Sequence, residues 1–190
     1  MTAWIETRGY EEADDRLKAA FDATRGPHGT IDNVMRVHAL RPGAMTASKA
    51  LYKAALHDAA NTLPGWQQEV IAAYVSILNG AAYSLTNHWA NAAHLIDDPA
   101  RAAAIRAALD AHRPEDALDG AALALCRFAE KLTRRPAEMT QADVAALRAA
   151  GLEDGEILEA TQIIGYFNYV NRILNGLGVS NAGERIGFYG

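Results

Sequence analysis

The sequence predicts an all-α fold, and three observations carry the prediction. Alanine supplies 40 of the 190 residues while valine and isoleucine are sparse, a balance that favours helices because alanine loses almost no side-chain entropy on entering one. Glycine and proline cut the chain into pieces of helix length. No linker or low-complexity tract divides it, so a single domain over residues 1–190 is expected, long enough to bury a substantial core.

The pieces give about eight helices, spanning 11–24, 31–39, 43–60, 65–79, 82–96, 99–111, 116–133, 141–150 and 154–176, with 31–39 reducing to a short turn. Asp98-Pro99 places a capping carboxylate before a first-turn proline, and Thr140 with Asp143 forms a capping box with Asp in the usual Glu place. Gly151 supplies a left-handed residue to close 141–150, whose Val144 and Leu147, with Leu152 just beyond, mark one inward face. The last helix carries Ile157, Ile163, Ile164, Phe167, Val170 and Leu174, an apolar surface too wide for a helix lying on water. It is expected to be central or at a subunit contact.

Composition also excludes function classes. Half the residues are hydrophobic and 22% charged, which argues against a disordered chain and against a membrane protein. A net charge of −5 without a basic run offers no surface for nucleic acid. The single cysteine, Cys126, rules out an internal disulfide, a CxxC redox centre and a cysteine zinc cluster. Its apolar surroundings, Leu123 to Phe128, read as those of a buried small hydrophobe. No leader or spanning segment is visible, so a cytoplasmic location is expected.

Chemistry concentrates between Trp66 and His88. Glu69 shares a helical face with Ala73, Ser76 and Gly80, so small residues line the acid's side, giving close helix packing or a narrow cavity. Beyond the Asn79-Gly80 break, Ser84 and His88 stand four apart, where hydroxyl and imidazole are neighbours. In an ideal hairpin Glu69 and His88 are offset by roughly 5 Å along the axis. Spacing alone therefore leaves two readings open: a Glu-His-Ser site, or a buried Glu and a core-edge His satisfied by other partners.

Glu69, Ala81, Ser84 and His88 fall at the spacing of the Glu…Cys-x-x-Cys-x-x-x-His motif, and the region resembles the alkylhydroperoxidase D-like (AhpD-like) and carboxymuconolactone decarboxylase superfamily. The segments Val37 to Pro42 and Leu51 to Leu56 resemble its lead-in helices, while Phe128 to Thr133 and Gly165 to Ile173 resemble its peroxidase-related branch. The resemblance spans roughly 30–178 and implies an AhpD-like helical domain that assembles as a homo-oligomer.

Both motif cysteines are replaced, by Ala81 and Ser84. The resemblance implies a thiolate that reduces peroxide and becomes a disulfide, and a serine hydroxyl, far less acidic than a thiol, does not run that cycle. The resembled site keeps Glu69, Ser84 and His88, with Ala81 enlarging the pocket, Tyr83 walling it and His38 beside it. The leading expectation is a non-thiol enzyme, without cofactor or bound metal, acting on a small-molecule substrate by general acid/base chemistry: decarboxylation, elimination or isomerisation. Three alternatives stand beside it. They are a Ser84-His88-Glu69 hydrolase, a metal enzyme using Glu69, His88 and either His38 or His57, and a catalytically silent binding or assembly protein. Of the other histidines, His57 is read as a cation at a helix C-terminus. His94 is read as solvent-facing or at a subunit contact, and His28 and His112 as surface residues. Asn87, Asn168 and Asn171 are read as pocket lining or packing amides.

The cysteine count generates the first prediction. With a dithiol donor, the purified protein reduces an alkyl hydroperoxide no faster than its Cys126→Ala variant; turnover abolished by that substitution would contradict the reading of Cys126.

Overall fold

Helix starts in this chain are set by side chains that accept the first free backbone N–H groups. The computed structural model describes residues 2–26 and 28–189, and every regular element among them is helical. In order these are α1 (Asp15–Thr24), α2 (Asn33–Arg36), α3 (Pro42–Leu56), α4 (Gly65–Leu78), α5 (Ala82–Ile96), α6 (Pro99–Asp110), α7 (Gly120–Arg134), α8 (Gln141–Ala149) and α9 (Asp154–Leu177). Two 3₁₀ turns, Pro114–Asp116 and Pro136–Glu138, flank α7. The all-α expectation holds.

Differences in boundary have local causes. Asp14 accepts from Leu17 N–H at 2.8 Å, so the first helix starts at 15 rather than 11. The third stops at Leu56, because Asp58 turns back onto Ala60 N–H at 2.8 Å and the Asn61 amide caps Ala55 O at 3.1 Å. The expected helix 116–133 is a 3₁₀ turn and then α7, since the chain resets at Asp119-Gly120. Asp98 caps α6 through Ala100 and Arg101 N–H, and Thr140 with Asp143 caps α8 as expected. Glu153 and Glu156 form a second capping box at the start of α9.

The centre of the molecule is α4. Every residue from Gln68 to Ser76 is buried, a helix covered on all sides, with α5, α7 and α9 packed around it. Toward α7 and α9 the core is built on Ile71, Leu125, Ile163, Ile164 and Phe167. A second cluster joins Val70 and Tyr74 of α4 to Ile105, Leu109 and Cys126, and a third packs Leu17, Phe21, Met35 and Met45 at the N-terminal end. The long α9 is thus a wall against α4 rather than the centre, and it leaves Leu158 and Tyr169 exposed.

Two contacts set the position of α4. At its N-terminal end, the buried Glu159 carboxylate of α9 accepts from the N–H groups of Thr62 and Leu63 at 2.9 Å. At its C-terminal end Gly80 adopts φ +61°, with Gly80 N–H on Ile77 O at 3.0 Å and Ala81 N–H on Ser76 O at 2.8 Å. That closing motif needs a left-handed residue, which glycine supplies without a Cβ penalty. It turns α5 directly back along α4. Among the described residues no helix is long and apolar enough to cross a membrane.

Lys131 Nζ lies 2.7 and 2.8 Å from the two Asp143 carboxylate oxygens, and Thr140 N–H donates to the same group. The hydrogen bond from Lys131 leads these causes in pulling the Asp143 pKa from 3.8 to about 2. A carboxyl depressed in the folded state contributes stability above its unfolded pKa and loses it as pH falls through the folded one. Asp143→Asn is therefore expected to lower the urea midpoint at neutral pH, with the difference from wild type shrinking between pH 3.8 and about 2; a pH-independent difference would contradict this assignment.

Candidate active site

Tyr83, Ser84, Asn87, His88 and Asn91 share one stripe of α5, at the offsets that stack residues along a helix face. Across from them α4 presents Glu69, 2% exposed. The Glu69 Oε2 to His88 Nδ1 distance is 2.6 Å, and Asn91 Nδ2 donates to Glu69 Oε1 at 3.1 Å. The axial offset expected between Glu69 and His88 is closed directly. With Glu69 as the carboxylate both of its oxygens accept, so the proton of this bond sits on Nδ1 and Nε2 is the ring nitrogen left for a ligand. Phe167 meets the imidazole edge to face, centroids 4.5 Å apart at 80°, and fixes the ring.

His88 opens onto a cavity of about 90 Å³ between α3, α5, α9 and the C-terminal segment. Its apolar wall includes Val34, Tyr52, Tyr166, Phe167, Val170 and Phe188, and its polar wall includes Lys49, Ser84, Asn87 and Asn91. The segment after α9 returns to cover α5. Gly187 N–H donates to Asn87 Oδ1 at 3.0 Å and Phe188 N–H to Asn91 Oδ1 at 2.6 Å. Asn91 thus ties the tail to Glu69. Phe188 also stacks on His57, centroids 4.6 Å apart at 18°.

The structure brings some expected residues together and separates others. Ser84, Tyr83 and His88 line the cavity, and Glu69 sits behind His88. Tyr83 accepts from Val34 N–H at 3.3 Å, and burial holds its hydroxyl protonated. Ala81 does not line the cavity: as the residue preceding α5 it is 1% exposed in the turn, so its small side chain adds no pocket volume. His38 is also off the cavity, with Nδ1 on Val34 O at 2.9 Å and its pKa lowered by burial.

Two alternatives lose their geometry. Among the described residues no three His, Cys, Asp or Glu side chains converge as a metal-binding set; His38 is engaged elsewhere, and His57 Nε2 pairs with the Tyr52 hydroxyl at 2.9 Å. His57 is also no cap cation, because burial beneath Phe188 lowers its pKa and favours the neutral ring. No hydrogen bond among the described residues joins Ser84 to His88. His28 is a cavity residue rather than a surface one. His94 is exposed and stacks on Tyr189, and His112 is exposed. Cys126 is buried in α7, its thiol pushed up to about 12 by burial. Asn168 and Asn171 are packing amides, bonded to Thr133 and Ser76. Sequence reasoning missed Asn91, Lys49, Tyr52 and Phe188; only Asn91, three residues after His88, carried a local signal.

No protein-family model and no curated protein matches the chain. Solved structures do match. An uncharacterized peroxidase-related protein from Silicibacter sp. TM1040 superposes with TM-score 0.80 at 26% identity, covering 96% of this chain and 95% of that one. The chain has the AhpD-like fold of the peroxidase-related proteins. A second such protein, an alkylhydroperoxidase AhpD core from Ralstonia eutropha JMP134, gives TM-score 0.79 at 22% identity over 95% and 92% of the two chains. The debrominase Bmp8, crystallised as a cysteine-to-alanine variant in complex with 2,3,4-tribromopyrrole, gives TM-score 0.75 at 18% identity over 96% and 94%. On this AhpD-like scaffold the chain has alanine and serine where the motif has its two cysteines.

Asn91 generates the prediction here. Asn91→Ala leaves a buried carboxylate oxygen without its donor, which is expected to cost about 1–3 kcal/mol in urea unfolding. Paired with Glu69→Gln in a double-mutant cycle, the two effects should not add; additive losses would show that Asn91 does not act on Glu69.

Proposed function

We propose that the chain is a non-thiol enzyme in which the Glu69–His88 pair moves a proton on a small organic substrate. The observation that carries this reading is the buried 2.6 Å contact between Glu69 and His88 Nδ1, beside a cavity that the same ring lines. A base held by an orienting carboxylate needs a free nitrogen facing its substrate, and Nε2 is that nitrogen. In the step supported best, Nε2 takes a proton from a carbon next to a carbonyl, the electron pair moves into the carbonyl as an enolate, and Glu69 stabilises the imidazolium. Where a neighbouring carbon–carbon double bond extends the enolate to a dienolate, returning the proton to its far carbon gives isomerisation; expelling a leaving group from the neighbouring carbon gives elimination. Decarboxylation belongs to the same class when the enolate forms by loss of carbon dioxide and His88 then protonates it.

The cavity, about 90 Å³ and walled by aromatic rings, favours a small flat substrate. The tribromopyrrole complex of the debrominase supports a ligand of that shape on this scaffold. Ser84 lines the same cavity and serves as a hydrogen-bond donor to substrate rather than a nucleophile. Assembly into a homo-oligomer is part of the proposal, supported by Leu158 and Tyr169 standing exposed on α9.

Deuterium incorporation from heavy water into a panel of small ketones and oxo acids, followed by NMR, tests the proposal. Wild type is expected to catalyse exchange at a carbon beside the carbonyl. His88→Gln and Glu69→Gln should slow it on the order of 100-fold or more, whereas Ser84→Ala should stay within about tenfold because one neutral hydrogen bond contributes only about 0.5–1.5 kcal/mol. Helicity and assembly size must match wild type in each variant. Equal exchange in all three variants, or no exchange of any compound that binds, would sink the proposal; a loss in Ser84→Ala as large as in His88→Gln would make Ser84 the nucleophile.

A further inference from the structure

Lys49 is the buried group that the proton-transfer reading leaves without work. It sits on α3 with only 8% of its surface exposed, and it lines the cavity. Among the described residues its ammonium has no hydrogen bond and no carboxylate within ion-pair distance; its nearest recorded partner is the Tyr52 ring, with Nζ 5.2 Å from the centroid. Burial lowers its pKa, the Asp32 carboxylate opposes that shift and Lys53 adds to it. Unpaired as it is, the Lys49 ammonium stays accessible from the cavity rather than sealed in the core. A cation presented to a cavity without a fixed counter-charge is placed to meet one that arrives with a ligand.

We propose that Lys49 anchors a carboxylate of the substrate, so that the ligand is a small planar monocarboxylic acid. The proposal rests on the acid/base reading of His88 and extends it to the substrate class. The same Tyr52 ring that lies 5.2 Å from Lys49 Nζ lies 6.3 Å, centroid to centroid, from the His88 imidazole. Lys49 and His88 thus both neighbour one ring of the cavity wall, and a ligand lying against Tyr52 has both within reach. Aromatic and aliphatic side chains cover the span between, from Tyr166, Phe167 and Val170. Charge in the wall selects for one negative charge rather than two. Asp32 and Glu184 also line the cavity, so negative charge beyond the one that Lys49 matches meets an acidic wall. Arg185 at the rim adds an exposed cation on the approach.

The anchor narrows the reaction. A carboxylate held against an ammonium is stabilised as the ion, which disfavours its own loss as carbon dioxide. Isomerisation of, or elimination from, an acid that keeps its anchored carboxylate is then the chemistry that the geometry serves, with the proton leaving a carbon beside a second carbonyl farther along the chain, which takes up the electron pair.

Binding separates this proposal from the catalytic one. Titrations of benzoate, crotonate, their neutral amides and inorganic phosphate would be followed by ligand-observed NMR for wild type, Lys49→Met and His88→Gln. Wild type is expected to bind at least one carboxylate at least tenfold more tightly than its amide, and not to bind phosphate. Lys49→Met should erase that preference while leaving the amide within threefold, and His88→Gln should keep it. Lys49→Met removes a buried charge, so its thermal midpoint should not fall; Lys49→Arg, which keeps the charge, should retain part of the preference if Lys49→Met unfolds. Equal carboxylate affinity in Lys49→Met, equal binding of acid and amide by wild type, or no saturable binding at about 10 mM would overturn the anchor. If the preference disappears in His88→Gln and survives in Lys49→Met, the anion docks on His88 and the anchor is wrong. Loss of proton exchange with binding intact would instead count against the acid/base reading alone.

Discussion

The contact on which the site depends is the buried pair of Glu69 and His88. A carboxylate taken out of water is expensive unless each oxygen finds a donor, and here one oxygen takes His88 Nδ1 and the other the Asn91 amide. Meeting both demands fixes α5 against α4 in register. Small side chains on the acid's face of α4, Ala73 and Ser76, let neighbouring helices come close, with Ser76 bonded by Asn171 of α9. The Gly80 turn returns α5 at once, so no slack remains between the partners.

The same pair gives the cavity its chemistry. Committing Nδ1 to Glu69 exposes the other ring nitrogen to whatever enters, and Phe167 prevents the ring from turning away. The site is completed from outside the hairpin. Lys49 comes from α3, Phe167 from α9, and the tail closes over Asn87 and Asn91 through its backbone. Asn91 has two duties, one amide nitrogen to the acid and its oxygen to the tail, so the cover over the cavity is coupled to the orientation of the base.

The hairpin was legible in sequence because its information is local. Glu69, the Gly80 break, Ser84 and His88 lie within one stretch, and helical periodicity puts them on facing stripes; the matching motif spacing pointed to the same residues. The caps at Asp98 and Thr140 were legible for the same reason, as each acts over three residues. Contacts between distant segments were not. Phe188 meets Asn91 across 97 positions, and no periodicity encodes that. The tail also explains why His57 was misread: the dipole argument suits an exposed ring, whereas this one is covered by Phe188. Ala81 failed differently, because a small residue enlarges a pocket only when its Cβ points into it, and the turn before α5 directs this one elsewhere.

The chemistry of the site turns on which nitrogen of His88 carries the proton. Nitrogen NMR of protein labelled in its histidine rings reads this directly at a pH where the ring is neutral. The expected result is the Nδ1–H tautomer for His88, with a strongly downfield Nδ1 proton that is lost in Glu69→Gln. An Nε2–H tautomer, or a His88 signal unchanged by Glu69→Gln, would contradict it.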